Sequence, residues 1–261
     1  MKKLITLLLV LVMSVACVFG LTACGEADDL QAVKDNGKLV VGVTDYPPMD
    51  YIENGKWVGF DAELAQMFAQ SLGVTCEIII IDWDAKVTEL NSNQIDLVWN
   101  GMTATDELGK QIDFSVSYAK NAQVAVVKND SSITTSEQVK NARVAVESGS
   151  AGNETAEDLG ISNIIMAENQ LMALTEVVAG TSDVAIVDIT MAQSVVGKGQ
   201  YSNLKIVSGV SYGDEVFAVG LRKGSNLKAE LDAFLKAKYA DGTITALAEK
   251  YSVGINTEAL A

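Results

Sequence analysis

Residues 38–73 read KLVVGVTDYPPMDYIENGKWVGFDAELAQMFAQSLG, a strand signal followed by a helix signal. KLVVGV (38–43) is an unbroken apolar run of strand length, which predicts a buried strand. From Phe60, large apolar side chains return every four positions, at Leu64, Phe68 and Leu72, and predict one buried helical face. Asp61 is expected as the N-cap and Gly73 as the stop. CEIIII (76–81) then predicts a strand, a helix follows near 84–92, and IDLVW (95–99) predicts another strand. This βαβ rhythm predicts a mostly parallel sheet covered by helices.

The rhythm restarts at AQVAVV (122–127), after which a polar stretch leads into a short helix. ARVAVE (142–147), NIIMA (163–167) and DVAIVD (183–188) read as strands, separated by a helical stretch after Ser150 and a helix over 168–179. EVFAVGLR (215–222) is a further strand. An amphipathic helix starts near Ser225, with Leu227, Leu231, Phe234 and Tyr239 inward, and a last helix covers 243–251. Two such restarts predict two α/β lobes with a cleft between the carboxyl ends of their strands.

The chain opens Met-Lys-Lys and runs without charge from Leu4 to Gly25. Residues 1–23 therefore read as a secretory signal peptide, with an uncleaved membrane-spanning helix as the alternative. LTAC (21–24) resembles the bacterial lipobox, in which Cys24 becomes the lipidated first residue and 24–36 a soluble tether. Removing 1–23 leaves 17 basic and 34 acidic side chains, a net charge of −17. Such a surface repels phosphate backbones and speaks against nucleic acid as a partner.

The chain has no histidine, which excludes Ser-His-Asp and Cys-His machinery and His-ligated metal sites. No glycine-rich dinucleotide or phosphate-binding fingerprint is present. Neither a cofactor nor a metal is expected. With Cys17 removed and Cys24 acylated, Cys76 is left alone and no disulfide within the chain is expected.

VGVTDYPPMDY, GKWVGFDAELAQMFAQSLG, DWDAKVTELNSNQIDLVWNGMTATDE, IDFSVSY, VAVESGS, SDVAIVD and VGLRKGSNLKAELDAFL stand in that order. Together they resemble the extracellular solute-binding proteins (family 3) of polar amino-acid ABC transporters, over nearly all of residues 37–252. The resemblance implies an α/β fold of the two-lobed, type II periplasmic-binding-protein kind. Lobe one would hold 37–121 and 221–261, lobe two 128–214, and the crossing strands would be 122–127 and 215–220.

The resemblance also implies a set of ligand contacts. Tyr46 and Trp83 match aromatic residues that clamp the ligand. Asn100, Gly101 and Thr103 match the floor, with Asn100 placed so that its side chain points either into the cleft or into the core. Leu108 stands where the family carries an arginine that forks onto the ligand's α-carboxylate, and Lys110 is the nearby residue able to supply a charge instead. Ser150 matches a hydroxyl of the carboxylate pocket, whose usual threonine neighbour is Ala151 here. Glu147 brings a carboxylate to a position usually uncharged. Asp188 matches the aspartate that accepts the ligand's ammonium, and also fits a helix N-cap.

The function implied is that of a monomeric substrate-binding lipoprotein, anchored to the outer face of the cell membrane. It would capture an amino acid or related small solute by lobe closure and deliver it to permease and ATPase subunits. A cationic amine-like solute without an α-carboxylate is the alternative ligand, because aromatic faces and carboxylates favour a cation. A dehydratase on the same fold and a sensor domain are the other classes; the first lacks its carboxylate anchor at Leu108, the second a following membrane helix and signalling module.

Overall fold

The computed structural model describes residues 28–261, so residues 1–23, Cys24 and the first part of the expected tether lie outside the described residues. The rest of that tether is folded. Residues Asp29–Asn36 form a helix, capped by Asp28 at one end and by Gly37 at φ +67 at the other. Val33 is buried, and Asp29 meets Arg222 at 3.1 Å, which fastens the helix to lobe one.

Lobe one is built on β1 (Lys38–Val43), β4 (Thr75–Ile80), β5 (Leu97–Val98), β6 (Asp113–Phe114) and β12 (Gly220–Leu221), in the order β4-β1-β5-β12-β6. β1 pairs in parallel with β4 and β5, as the βαβ rhythm requires. The helix Phe60–Ser71 covers this sheet, with Phe60, Leu64 and Phe68 fully buried and Leu72 half-buried. Its N-cap is Gly59, not Asp61: the Asp61 carboxylate turns inward beneath the cleft. A small hairpin, β2 (Tyr51–Glu53) with β3 (Lys56–Val58), turns at Asn54-Gly55, both at positive φ.

Lobe two carries β7 (Ala119–Lys128), β8 (Val144–Glu147), β9 (Ile164–Ala167), β10 (Val184–Asp188) and β11 (Leu204–Phe217), in the order β11-β7-β10-β8-β9. Both sheets are mixed. β12 is antiparallel to β5, and β7 is antiparallel to both β10 and β11. These are the strands that arrive from the other lobe, so they enter their sheet from the opposite end to a helix crossover.

Residues 122–127 lie inside the second sheet, paired with β10 and β11. The β7–β11 ladder runs on to Ala119↔Phe217, and Tyr118 and Ser115 then bond to Phe217 and Val219 in the approach to lobe one. The chain thus passes between lobes nearer 115–121 than 122–127 on the way out, and along 215–219 on the way back. β11 also begins well before Glu215. Glycines at φ +75 (Gly209) and +70 (Gly213) accompany two register shifts along it, which break the alternation that marks a strand.

Candidate ligand-binding site

The lobe-one side of the cleft is held from below. Tyr46, in the loop after β1, is fixed by its amide bonding to Asp50 O at 2.7 Å, and its ring meets Phe217 edge-on at 6.4 Å. Gly101 sits against that ring at φ +53, where a Cβ would stand 2.7 Å from Tyr46 Cε1. Only glycine tolerates both the backbone angle and the approach. The Gly101 amide donates to Asp61 Oδ2 at 2.6 Å, and Tyr118 donates its hydroxyl to the same oxygen at 2.7 Å. Asn100 donates to Asp50 Oδ2 at 2.8 Å and accepts from the Thr44 amide and hydroxyl at 2.9 and 2.8 Å. Its side chain serves the loop more than the cleft.

The lobe-two side ends in carboxylates. Glu147 is the last residue of β8, and Asp188 the last of β10. Ser150 caps the helix Ala151–Asp158 by accepting from Asn153 N at 3.1 Å, and donates its hydroxyl to Glu147 O at 2.8 Å. Asp188 occupies the N-cap position of the helix Ile189–Val195 but makes no capping bond. Instead Oδ1 accepts from Gln123 at 2.6 Å and from Asn121, and Oδ2 accepts from Tyr46 at 2.9 Å and from Gln170. Tyr46 is the lobe-one member of that set, so this bond crosses the cleft.

Between these faces lies a narrow pocket with a free volume of about 20 Å³, room for about one water molecule, so the two lobes stand drawn together. Tyr46, Trp83, Asn100, Gly101 and Thr103 line it from lobe one, and Glu147, Ser150, Ala151 and Asp188 from lobe two. Leu108 does not. Its helix, Asp106–Gly109, is capped by Thr105, and its side chain packs against the apolar cluster that holds Met102 and Ile112. An aliphatic side chain gains more there than beside carboxylates. Lys110 is also elsewhere: it is paired with Glu107 and its side chain is 70% exposed.

Gln123, Gly152 and Gln170 complete the lining. Gln123 and Asn121 stand two apart in a strand that is otherwise apolar between Lys120 and Lys128, and that polar pair on one face is the readable signal. Both also donate to Glu215, at 2.9 and 2.8 Å, which accepts from Thr103 as well at 3.0 Å. Lys86 had no such signal. It is 4% exposed, lies 4.9 Å over the Trp83 ring, and donates to Trp83 O at 3.1 Å and, across the cleft, to Gly149 O at 2.8 Å.

Burial dominates the electrostatics. It raises Asp188 to about 6, with Glu215 adding repulsion and the donors from Gln170, Tyr46 and Gln123 opposing. Burial and then the Asp188 charge raise Glu147 to about 8, against Lys86, Gln170 and Thr44. Lys86 is shifted down by burial, and Glu147 is the first of several acids that hold it up. Among the described residues, no lysine or arginine lines the pocket.

A mixed α/β molecule of two lobes, with a closed polar pocket between them, is the architecture of a solute-binding protein. The chain belongs to the bacterial extracellular solute-binding proteins, family 3, whose model matches residues 39–254. It is similar to the arginine-binding extracellular protein ArtP of Bacillus subtilis (strain 168), 31% identical over 97% of this chain and 99% of that protein. The L-cystine-binding protein TcyJ of Escherichia coli (strain K12) is 33% identical over 92% of each chain. Among solved structures, the P235GK mutant of ArgBP from T. maritima superposes with a TM-score of 0.81 at 30% identity, covering 86% of this chain and 99% of that one.

Proposed function

We propose that this protein is the substrate-binding component of an ABC importer and closes its lobes around one ammonium-bearing amino acid. The observation that carries this reading is the pocket itself: both lobes line it, and Tyr46 of one reaches Asp188 of the other at 2.9 Å. A ligand seated there touches both lobes, so its binding energy is available to hold them together. The relatives' names support amino acids as the solute class, and the absence of a cationic side chain from the lining favours basic ones. The same absence supports the second reading, a cationic amine without an α-carboxylate. Binding rather than dehydration is the activity, in keeping with relatives named for what they bind. Lipidation at Cys24 would keep the protein, as a monomer, beside its permease and ATPase subunits.

Calorimetry against the twenty amino acids and a set of amines, with small-angle scattering of the same samples, tests the proposal. Tight binding of a basic amino acid with a smaller radius of gyration is expected. Saturable binding with no compaction contradicts the closure mechanism. Tight binding of amines alone moves the assignment to the second reading.

A further inference from the structure

Resting on the binding reading above, we infer that Glu147 is the carboxylate that selects the solute, accepting a cationic ammonium, amidinium or guanidinium group. The two acids of the pocket wall are not equally free. A carboxylate offers about four lone-pair sites. Asp188 has filled its own: Oδ1 takes two donors, from Asn121 and Gln123, and Oδ2 two, from Tyr46 and Gln170. An incoming ammonium reaches Asp188 only by displacing a donor already in place. Glu147 is 3% exposed, lines the pocket, and has an Oε1 with no hydrogen-bond partner. A buried acceptor left open in this way costs free energy until a donor arrives, and the pocket is the side from which one comes.

The charges around Glu147 fix which form waits there. Asp188 repels its negative charge and Lys86 attracts it, while burial favours the neutral acid. Lys86 points two of its three donors at Trp83 O and Gly149 O, and makes no ion pair with Glu147. With the lobes drawn together as here and no cation bound, Glu147 therefore holds a proton at neutral pH. A cation arriving at Oε1 replaces that proton as the compensating charge, and the proton leaves to solvent. Binding of a cationic solute is then accompanied by proton release and tightens as pH rises toward about 8. A neutral solute gains nothing from the same change.

The experiment is calorimetry at pH 7 and pH 8.5, in two buffers of different ionisation enthalpy, on wild type, Glu147→Gln and Asp188→Asn. The probes are arginine, lysine, 1,4-diaminobutane and glutamine. For wild type, the cationic probes are expected to release up to one proton at pH 7 and to bind more tightly at pH 8.5. Glu147→Gln should weaken the best cationic probe at least tenfold more than glutamine and abolish the proton release, with a melting temperature at or above wild type. If wild type binds none of the cationic probes, this inference is overturned, whereas the amino-acid reading falls only if none of the twenty amino acids binds. If wild type binds cations but Glu147→Gln leaves their advantage over glutamine and the proton release intact, only the role of Glu147 is overturned. The same holds if Asp188→Asn alone removes that advantage.

Discussion

The two lobes meet the solute with different kinds of surface. On lobe one, Tyr46, Asn100 and Gly101 are tied backward to Asp50 and Asp61, acids that lie behind the lining and never reach the pocket. On lobe two, the acids Glu147 and Asp188 are themselves the lining. Lobe one supplies a fixed shape, and lobe two supplies charge. Substitutions on the first should change stability and fit for every solute, whereas those on the second should sort solutes by charge.

The sharpest break in that contrast is Asp188→Ala. It strands the donors of Tyr46, Asn121, Gln123 and Gln170 together, and should cost about 3–5 kcal/mol in urea unfolding, although it sits on the charge-bearing lobe. Asp188→Asn, which keeps the shape, should cost less. A loss below about 1 kcal/mol for the alanine variant would show that Asp188 is open to solute after all.

Gly101→Ala is next. The added Cβ meets the Tyr46 ring at 2.7 Å and Phe217 at 3.2 Å, so a loss of about 2–3 kcal/mol is expected from overpacking and backbone strain. Affinity should fall for cationic and neutral solutes alike. A selective loss would mean that the floor also discriminates.

Lys86→Met should remove a lysine bond that spans the cleft, Nζ to Gly149 O at 2.8 Å, while keeping the stem. A charged bond of this kind contributes about 1.5–3 kcal/mol, offset here by the relief of burying an ammonium. Faster solute release, roughly tenfold in stopped flow with association little changed, is the expected sign.

The pH dependence follows from the acids that burial raises. Glu147 at about 8 and Asp188 at about 6 bind protons more tightly folded than unfolded. These two groups therefore contribute stability that is fully present below the ordinary carboxylate range and is lost as pH rises, toward about 6 for Asp188 and about 8 for Glu147, by up to about 1.4 kcal/mol per pH unit for each group. Glu147→Gln should flatten that slope in a pH series of thermal melts. Lys110→Met, remote from the pocket, should change affinity and stability by no more than about 0.5 kcal/mol.

Much of this is legible in the sequence alone. The strand at 38–43, the helix at 243–251 and the helical face of Phe60, Leu64 and Phe68 depend on local period, and the structure keeps them. Nine of the ten expected contacts line the pocket because strand ends and turns place them there. Leu108 went astray for a chemical reason. A position inferred from an arginine carries over its place in the chain, but an aliphatic side chain seeks its own kind. Asp61 shows the same limit, since capping and core-facing aspartates look alike in sequence and distant donors decide, the Gly101 amide 40 residues away and the Tyr118 hydroxyl 57 residues away. Lys86 and Glu215 act through partners on the other lobe, a relation that no local pattern records.

The pairing of Ala119 with Phe217 has a modular consequence. Cα atoms opposed in an antiparallel ladder stand about 5 Å apart, so the segment between these two residues leaves lobe one and returns to it through a single doorway. Lobe two is, in effect, a cassette spliced into an otherwise continuous host. Its selectivity-bearing wall can be exchanged by cutting at that doorway, and its two ends are near enough to be joined by a tight turn.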